Sequence, residues 1–335
     1  MIKTRLKTAA SLLALATFVA TGCTESPAPE IDLSGLQAIA DAAGGIVAVG
    51  DADGTLHLAA GTTSSGETLG TEDGFMLWSA TKMVTAISVL TMVDDGLVSL
   101  DEPVEQYVDF PVHSDLTLRH LLQHKSGIPD VGPHSCGTAE VAEFIKDQAA
   151  NPATQPGTSA SYSTPGFNLV GLVIESATGM QAHEYQRKVI FEPLGMTSTY
   201  YAEIEDGPPL FHSVDRCGGP QHVIGTGGGL ASTAKDMDLL RRSAFAGELL
   251  TDDSRDHFTT YESEVFGFPY ALGNATVSSP DGRTVLGHWG TAGYEAGAFY
   301  EPSTGRTIVV LKTHGLFEDT LWAALDWFES ELTQE

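Results

Sequence analysis

The sequence predicts an α+β fold: one antiparallel sheet built from both chain ends and flanked by helices, with an inserted, mostly helical lobe. Three observations predict it. Strand-like stretches joined by turn residues lie near the start of the chain and again in its last third. The middle instead repeats apolar residues at three and four, the helical spacing. With 335 residues, 42% of them hydrophobic, the chain can bury the core of one large unit or two modest lobes. The boundaries this implies are an α/β lobe from about 31–78 and 260–335, and a helical lobe over about 79–259.

The elements follow in order. Gly45 to Gly61 reads as two strands around the turn Asp51-Ala-Asp-Gly54. From Ser79, the positions Met83, Val84, Ile87, Leu90 and Val93 predict an amphipathic or buried helix that Gly96 closes. Residues 116–130 read as a short helix broken by Gly127 and Pro129, and Phe167 to Ala177 as an apolar helix ending at Gly179. Residues 225–240 read as a glycine turn feeding a helix, with Thr233 and Asp236 spaced as a capping box. The triple glycine is not followed by Gly-Lys-Ser/Thr, so a tight turn is expected rather than a phosphate loop. Strands are expected at Tyr270–Val277, Thr284–His288, Gly297–Tyr300 and Thr307–Lys312, with turns at Pro280–Gly282 and Pro302–Gly305. Leu321 to Leu332 reads as a closing helix.

Residues 1–22 read as a signal peptide of the lipoprotein type: Lys3, Arg5 and Lys7, then an apolar run too short to span a bilayer. Ala20-Thr21-Gly22-Cys23 resembles a bacterial lipobox, which makes Cys23 the expected lipidation site; ordinary secretion with a nearby cut is the alternative. Residues 23–30, with Pro27 and Pro29, read as a tether, and 31–335 as the folded domain. The expected location is therefore exported and membrane-anchored, facing the periplasm or the exterior. In an oxidising compartment Cys136 and Cys217 are either a disulfide or two buried thiols.

A net charge of −27 argues against phosphate-backbone binding, so no nucleic acid partner is expected. No CxxC pair, HExxH or EF-hand loop appears, and no metal or other cofactor is expected. His113, His120, His124 and His134 match no ligand spacing and are expected to be surface or capping histidines.

Three stretches carry chemistry. Ser79-Ala-Thr-Lys82 is S-x-x-K, and residues three apart share a helix face, so the amine can reach the hydroxyl. Serine needs a base to become a nucleophile, and an amine can serve only where burial or a helix N-terminus disfavours its cationic form. The helix start also offers backbone N–H groups to a developing oxyanion. Alone, this spacing equally fits a serine N-cap and a solvated lysine. Tyr162, after the turn at Pro156-Gly157 and just ahead of Ser163-Thr164, is a proton carrier or a packed ring. Gly287-His288-Trp289-Gly290-Thr291 reads as a strand on which Gly290 lets a ligand backbone approach and the Thr291 N–H donates to an oxyanion. His288 adds a donor or a switchable positive charge.

The order S-x-x-K, Tyr-x-x, His-x-Gly resembles the penicillin-recognising serine hydrolases: class C β-lactamases, D-alanyl-D-alanine carboxypeptidases and related esterases. Leu118 to Pro129, Pro193-Leu-Gly-Met-Thr197 and Gly228 to Thr233 resemble further signatures of that family, and Gly293-Tyr294 its carboxypeptidase branch. The resemblance implies a β-lactamase/transpeptidase-like fold. It implies Ser79 as the acylated nucleophile, Lys82 sharing its proton, Tyr162 as the partner acid or base, and His288 binding beside them. It implies an oxyanion hole from the N–H groups of Ser79 and Thr291, and substrate contacts at Thr164, Trp289 and Gly290. Thr164 stands where Asn or Ser is more usual, and Trp289 where family peptidases have a small hydroxyl residue. Arg283 is the only upstream cation near the third motif that could meet a substrate carboxylate instead. The expected activity is D-alanyl-D-alanine carboxypeptidase-like or β-lactamase-related amide hydrolysis. The alternatives are an esterase for small esters or a non-catalytic relative that binds peptidoglycan or another ligand without turnover. Expected partners are a small-molecule or peptide substrate and, through the anchor, a membrane.

Overall fold

The computed structural model describes residues 32–332 apart from 53, 131–138, 203, 206, 208–209, 211–224, 248, 292–293 and 314–316. Cys23, Cys136, Cys217, His134 and Gly293 lie outside the described residues, as do the signal and tether.

Eleven strands are described: β1 (Ile46–Gly50), β2 (Thr55–Ala59), β3 (Phe75–Met76), β4 (Tyr200–Tyr201), β5 (Leu230–Ser232), β6 (Ser263–Val265), β7 (Phe268–Tyr270), β8 (Ala275–Ser278), β9 (Thr284–Thr291), β10 (Glu295–Glu301) and β11 (Arg306–Lys312). Eight of them form an antiparallel sheet in the order β2-β1-β11-β10-β9-β8-β7-β6, so both chain ends contribute, as expected. Val47 and Val49, with Ile308 and Val310, point to one face, while Ile46, Ala48, Val309 and Leu311 point to the other. Alternation with both faces apolar marks strands covered on two sides.

The helices are α1 (Ser34–Ala43), α2 (Thr81–Asp94), α3 (Leu118–Leu122), α4 (Ala139–Ala150), α5 (Thr164–Thr178), α6 (Ala182–Gln186), α7 (Glu192–Leu194), α8 (Ala234–Phe245), α9 (Asp252–Thr259) and α10 (Phe317–Leu332). A π-helical turn, Arg187–Phe191, joins α6 to α7. Helices α1 and α10 cover one face through Leu36, Ala40, Leu321, Leu325 and Phe328. On the other face α8 packs against β1, β10 and β11, and α2 against β9. Every side chain of α2 from Thr81 to Leu90 is buried, so α2 is the central helix and its apolar positions run all round. Ser163 caps α5, its hydroxyl accepting from Gly166 N–H at 3.0 Å, and Gly179 ends that helix at φ +70°.

Three local expectations fail. Tyr270–Val277 is not one strand: Ala271 N–H donates to Asn274 C=O and Gly273 stands at φ +70°, folding the segment into a β7–β8 hairpin. At Gly273 a side-chain carbon would come within 2.8 Å of the Lys82 carbonyl oxygen, so the turn lies directly on α2. The glycine turn at 225–229 feeds β5 before α8, and β5 joins β3 and β4 in a three-stranded sheet. The capping box is half made. Thr233 accepts from Asp236 N–H, but the Asp236 carboxylate turns to Ser198 N–H and Thr199 Oγ1, both at 2.8 Å.

Candidate active site

Ser79 sits in a 3-10 turn, Trp78–Ala80, at the entry of α2. Its N–H belongs to the first turn, where backbone donors have no acceptor within the helix. Trp78 holds φ +46°, a left-handed conformation that a bulky side chain adopts only at a cost of about 1–2 kcal/mol. The strain turns the Ser79 side chain into a cleft of about 200 Å³. Ser79, Tyr162, His288, Trp289, Gly290 and Thr291 form one part of its lining, and Val265, Phe266, Tyr270 and Ala275 the rest.

The Tyr162 hydroxyl donates to Ser79 Oγ at 2.5 Å. Lys82 Nζ lies 3.4 Å from Ser79 Oγ, 3.5 Å from Thr164 Oγ1 and 2.7 Å from the Gly227 carbonyl oxygen. It also stands over the Tyr162 and Phe167 rings, at 4.7 and 5.5 Å. Lys82 is fully buried, and among the described residues no carboxylate pairs with it. A carbonyl dipole and two aromatic faces therefore hold it in place of a counter-ion. Thr164 belongs to this Lys82 cluster, its N–H donating to Asp130, and it does not line the cleft.

The end of β9 presses on the nucleophile. A side-chain carbon at Gly290 would come within 2.3 Å of the Leu77 carbonyl oxygen and 2.5 Å of Ser79 N. Gly290 lines the cleft, and its missing side chain also admits the chain's own backbone at 77–79. Thr291, exposed at the strand end, borders the cleft beside it.

His288 also departs from expectation. It is buried, and its Nδ1 donates to the Trp289 carbonyl at 2.7 Å, since a carbonyl can only accept. Burial, reinforced by the nearby Lys82 charge, pushes its pKa down to about 3. His288 is therefore a neutral ring whose Nε2 is an acceptor, not a switchable cation. Trp289 is a rigid wall, stacked on Phe317 at 4.6 Å and edge-on to Phe268 at 5.0 Å. Arg283 is nowhere near a carboxylate-binding position: it pairs with Asp326 at 2.5 Å and Asp281 at 3.5 Å and lies over the Trp322 ring.

Two residues of the site carry no sequence motif of their own chemistry. His124, expected at the surface, is buried beneath Tyr162 with ring centroids 4.4 Å apart. Its Nδ1 accepts from Ser163 N–H at 3.0 Å, so its Nε2 carries the proton and donates to Tyr270 Oη at 3.2 Å. Burial holds it well below the usual histidine range. Phe266 caps Tyr162 from the other side at 5.1 Å. Trp78, His124 and Phe266 are the non-glycine residues at positive φ among the described residues, and all three adjoin Ser79 or Tyr162. No group of three or more His, Cys, Asp or Glu side chains is gathered to hold a metal among the described residues.

The family model for beta-lactamase matches residues 33–326. The chain is 30% identical over 206 residues to a lovastatin esterase of Penicillium rubens, covering 52% of this chain and 51% of the relative. It is 28% identical over 178 residues to the D-alanyl-D-alanine-carboxypeptidase/endopeptidase AmpH of Escherichia coli, covering 48% and 46%. It therefore spans about half the length of these curated relatives. Among solved structures it superposes on a D-amino acid amidase of Ochrobactrum anthropi with a TM-score of 0.76 and 22% identity, covering 88% of this chain and 98% of that one. At that identity the likeness is one of fold.

Proposed function

The chain belongs to the beta-lactamase family of serine hydrolases, and from that premise we propose that it cleaves amide or ester bonds through an acyl-enzyme on Ser79. One observation carries the reading: a serine hydroxyl and a buried amine at the entry of α2 meet a phenol from a distant segment within 3.5 Å. In the proposed reaction the Lys82–Tyr162 pair enters one proton short, as free amine or phenolate, and takes the Ser79 proton as Oγ attacks the substrate carbonyl carbon. The oxyanion is held by the Ser79 and Thr291 N–H groups, each contributing about 3 kcal/mol. Tyr162 protonates the leaving nitrogen or oxygen, which departs and leaves the acyl-serine. Water then attacks that ester, giving its proton to Tyr162, and Ser79 leaves as the hydroxyl. His124, stacked under the Tyr162 ring and bonded to the adjacent backbone, positions the phenol.

Amide hydrolysis of the carboxypeptidase or β-lactamase kind is one form of this activity. Ester hydrolysis is the second, favoured by two observations: Trp289 replaces a hydroxyl residue in the cleft, and the relatives include the lovastatin esterase and, at 31% identity over 222 residues, a monacolin J acid methylbutanoyltransferase of Aspergillus terreus. Labelling with a fluorophosphonate or a fluorescent penicillin, followed by mass spectrometry of the Ser79 peptide, tests the proposal. An adduct on Ser79 supports it; an unlabelled, folded protein points to a non-catalytic binder. Export and lipidation at Cys23 complete the proposal. Incorporation of a fatty-acid analogue that is lost in Cys23→Ala would support them.

A further inference from the structure

Phe266 is an odd residue to find where it is. The register Val265 to Phe268 leaves a two-residue turn, Phe266-Gly267, with φ of +53° and +84°. Both central residues at positive φ define the tight hairpin turn that Asn-Gly, Asp-Gly or Gly-Gly normally fill. A phenylalanine at the first position is strained, and this one is also 77% exposed. Neither folding nor solubility is served by a strained, solvated ring. Backbone strain of this kind collects where a ligand is handled.

The ring faces a cleft of consistent character. Phe266, Val265, Tyr270 and Trp289 make its walls, and no lysine or arginine lines it among the described residues. Lys82 is fully buried behind Tyr162 and spent on Gly227, and Arg283 is held by α10. Beside the hydroxyls of the lining, His288 Nε2 is buried and without a hydrogen-bond partner among the described residues. With Nδ1 donating to the Trp289 carbonyl, Nε2 can only accept. A carboxylate placed here would meet the neutral Thr291 and Tyr270 hydroxyls, an acceptor and apolar rings, with no cation to offset its desolvation. A neutral substrate with an aliphatic or single-ring group would bury against Phe266 and Trp289. The cleft of about 200 Å³ exceeds the roughly 150 Å³ cavity that admits benzene.

We propose that the Phe266 turn and Trp289 form an apolar clamp that selects neutral acyl substrates, and that a free carboxylate beside the scissile bond is rejected. This rests on the acyl-enzyme reading at Ser79 and narrows it to a substrate class.

The test uses two matched pairs: p-nitrophenyl butyrate against p-nitrophenyl hydrogen succinate on the acyl side, and phenyl acetate against 3-acetoxybenzoate on the leaving side. With kcat/KM divided by the spontaneous rate, the neutral member of each pair is expected to be favoured by about 30-fold or more, a difference of about 2 kcal/mol. In Phe266→Asn, kcat/KM for the butyrate should fall about tenfold and the butyrate preference should narrow, while Tm rises by about 2 °C as the turn relaxes. Equal or reversed preference in both pairs overturns the inference, and so does an unchanged butyrate kcat/KM in Phe266→Asn. Fluorophosphonate labelling of Ser79 separates the two levels. A labelled enzyme that prefers the anions sinks the clamp alone, whereas an unlabelled and inactive one sinks the acyl-enzyme and the clamp with it.

Discussion

On the α1/α10 face of the sheet, Phe317 lies between Trp289 and Phe299, stacked on both, with Leu321, Leu325 and Phe328 filling the layer behind. Where a cation reaches that side, as Arg283 does, carboxylates meet it. The α2 face is built otherwise. Lys82 and Arg241 are both buried with no carboxylate partner among the described residues, and burial lowers the Arg241 pKa to about 9. Arg241 is held by Asn274 Oδ1, the Met83 sulfur and the Leu286 carbonyl. The non-glycine residues at positive φ also lie on this side of the molecule, around Ser79 and Tyr162. One face needs only apolar volume. The other carries uncompensated charge and backbone strain, which persist because the surrounding packing over-determines them.

The contrast can be broken by experiment. The largest effect is expected from Ser79→Ala, with turnover falling about 10⁶-fold and the fluorophosphonate adduct lost, while Tm stays near the parent value. Lys82→Ala should slow labelling by about 10³–10⁴-fold. Full labelling of either variant contradicts the assignment. Phe328→Ala, on the opposite face, should cost about 3–5 kcal/mol in urea unfolding yet leave kcat per folded molecule unchanged. A tenfold loss of kcat there would mean that the two faces are mechanically coupled. Gly290→Ala should lower kcat about 10²-fold by pushing β9 off the 77–79 backbone, with a smaller stability cost of about 1–3 kcal/mol.

The effect that is smallest at neutral pH is a pH slope. His124 and His288 bind protons less readily folded than unfolded, so the unfolded chain takes up more protons below about pH 6.5. Stability is then lost as pH falls below about 6.5, for His288 toward about 3, by up to about 1.4 kcal/mol per pH unit for each ring that gains its proton only on unfolding. Glu175, raised to about 7 by burial, works in the opposite sense between its ordinary value and 7. Comparing urea midpoints of the parent and His288→Gln at pH 4 to 7 isolates one histidine: the variant should show the shallower acid loss. Parallel curves would mean that His288 is not protected from protonation.

How much of this was legible follows the same division. The strands β1, β10 and β11 announce themselves through short apolar runs bounded by turn residues, and helix α10 through helical spacing, because one simple requirement governs each. Ser79 and Lys82 were legible because a spacing of three is a local geometric fact. Tyr162 and His288 were legible only through their order along the chain. His124 lay in the family-like stretch Leu118 to Pro129, but its place beneath Tyr162 was not legible, since a single histidine has no period and its burial depends on Tyr162 and Tyr270, distant in sequence. Phe266 was hidden because Phe-Gly is not a pair that turn rules favour, so the β6–β7 hairpin had no signal. The β7–β8 turn was missed for a related reason: Leu272-Gly273-Asn274 bends to lie on α2, a tertiary contact that local propensity does not encode.

The Phe266 turn sits between the last two strands of the sheet, and β6 has β7 as its sole neighbour there. Residues at such a margin can be lengthened, shortened or exchanged while β8 to β11 keep their register. Ser79, Lys82 and Tyr162 hang from other segments and would not move. New substrate preferences are therefore open to this scaffold by replacing a single marginal loop, with the reactive centre inherited intact.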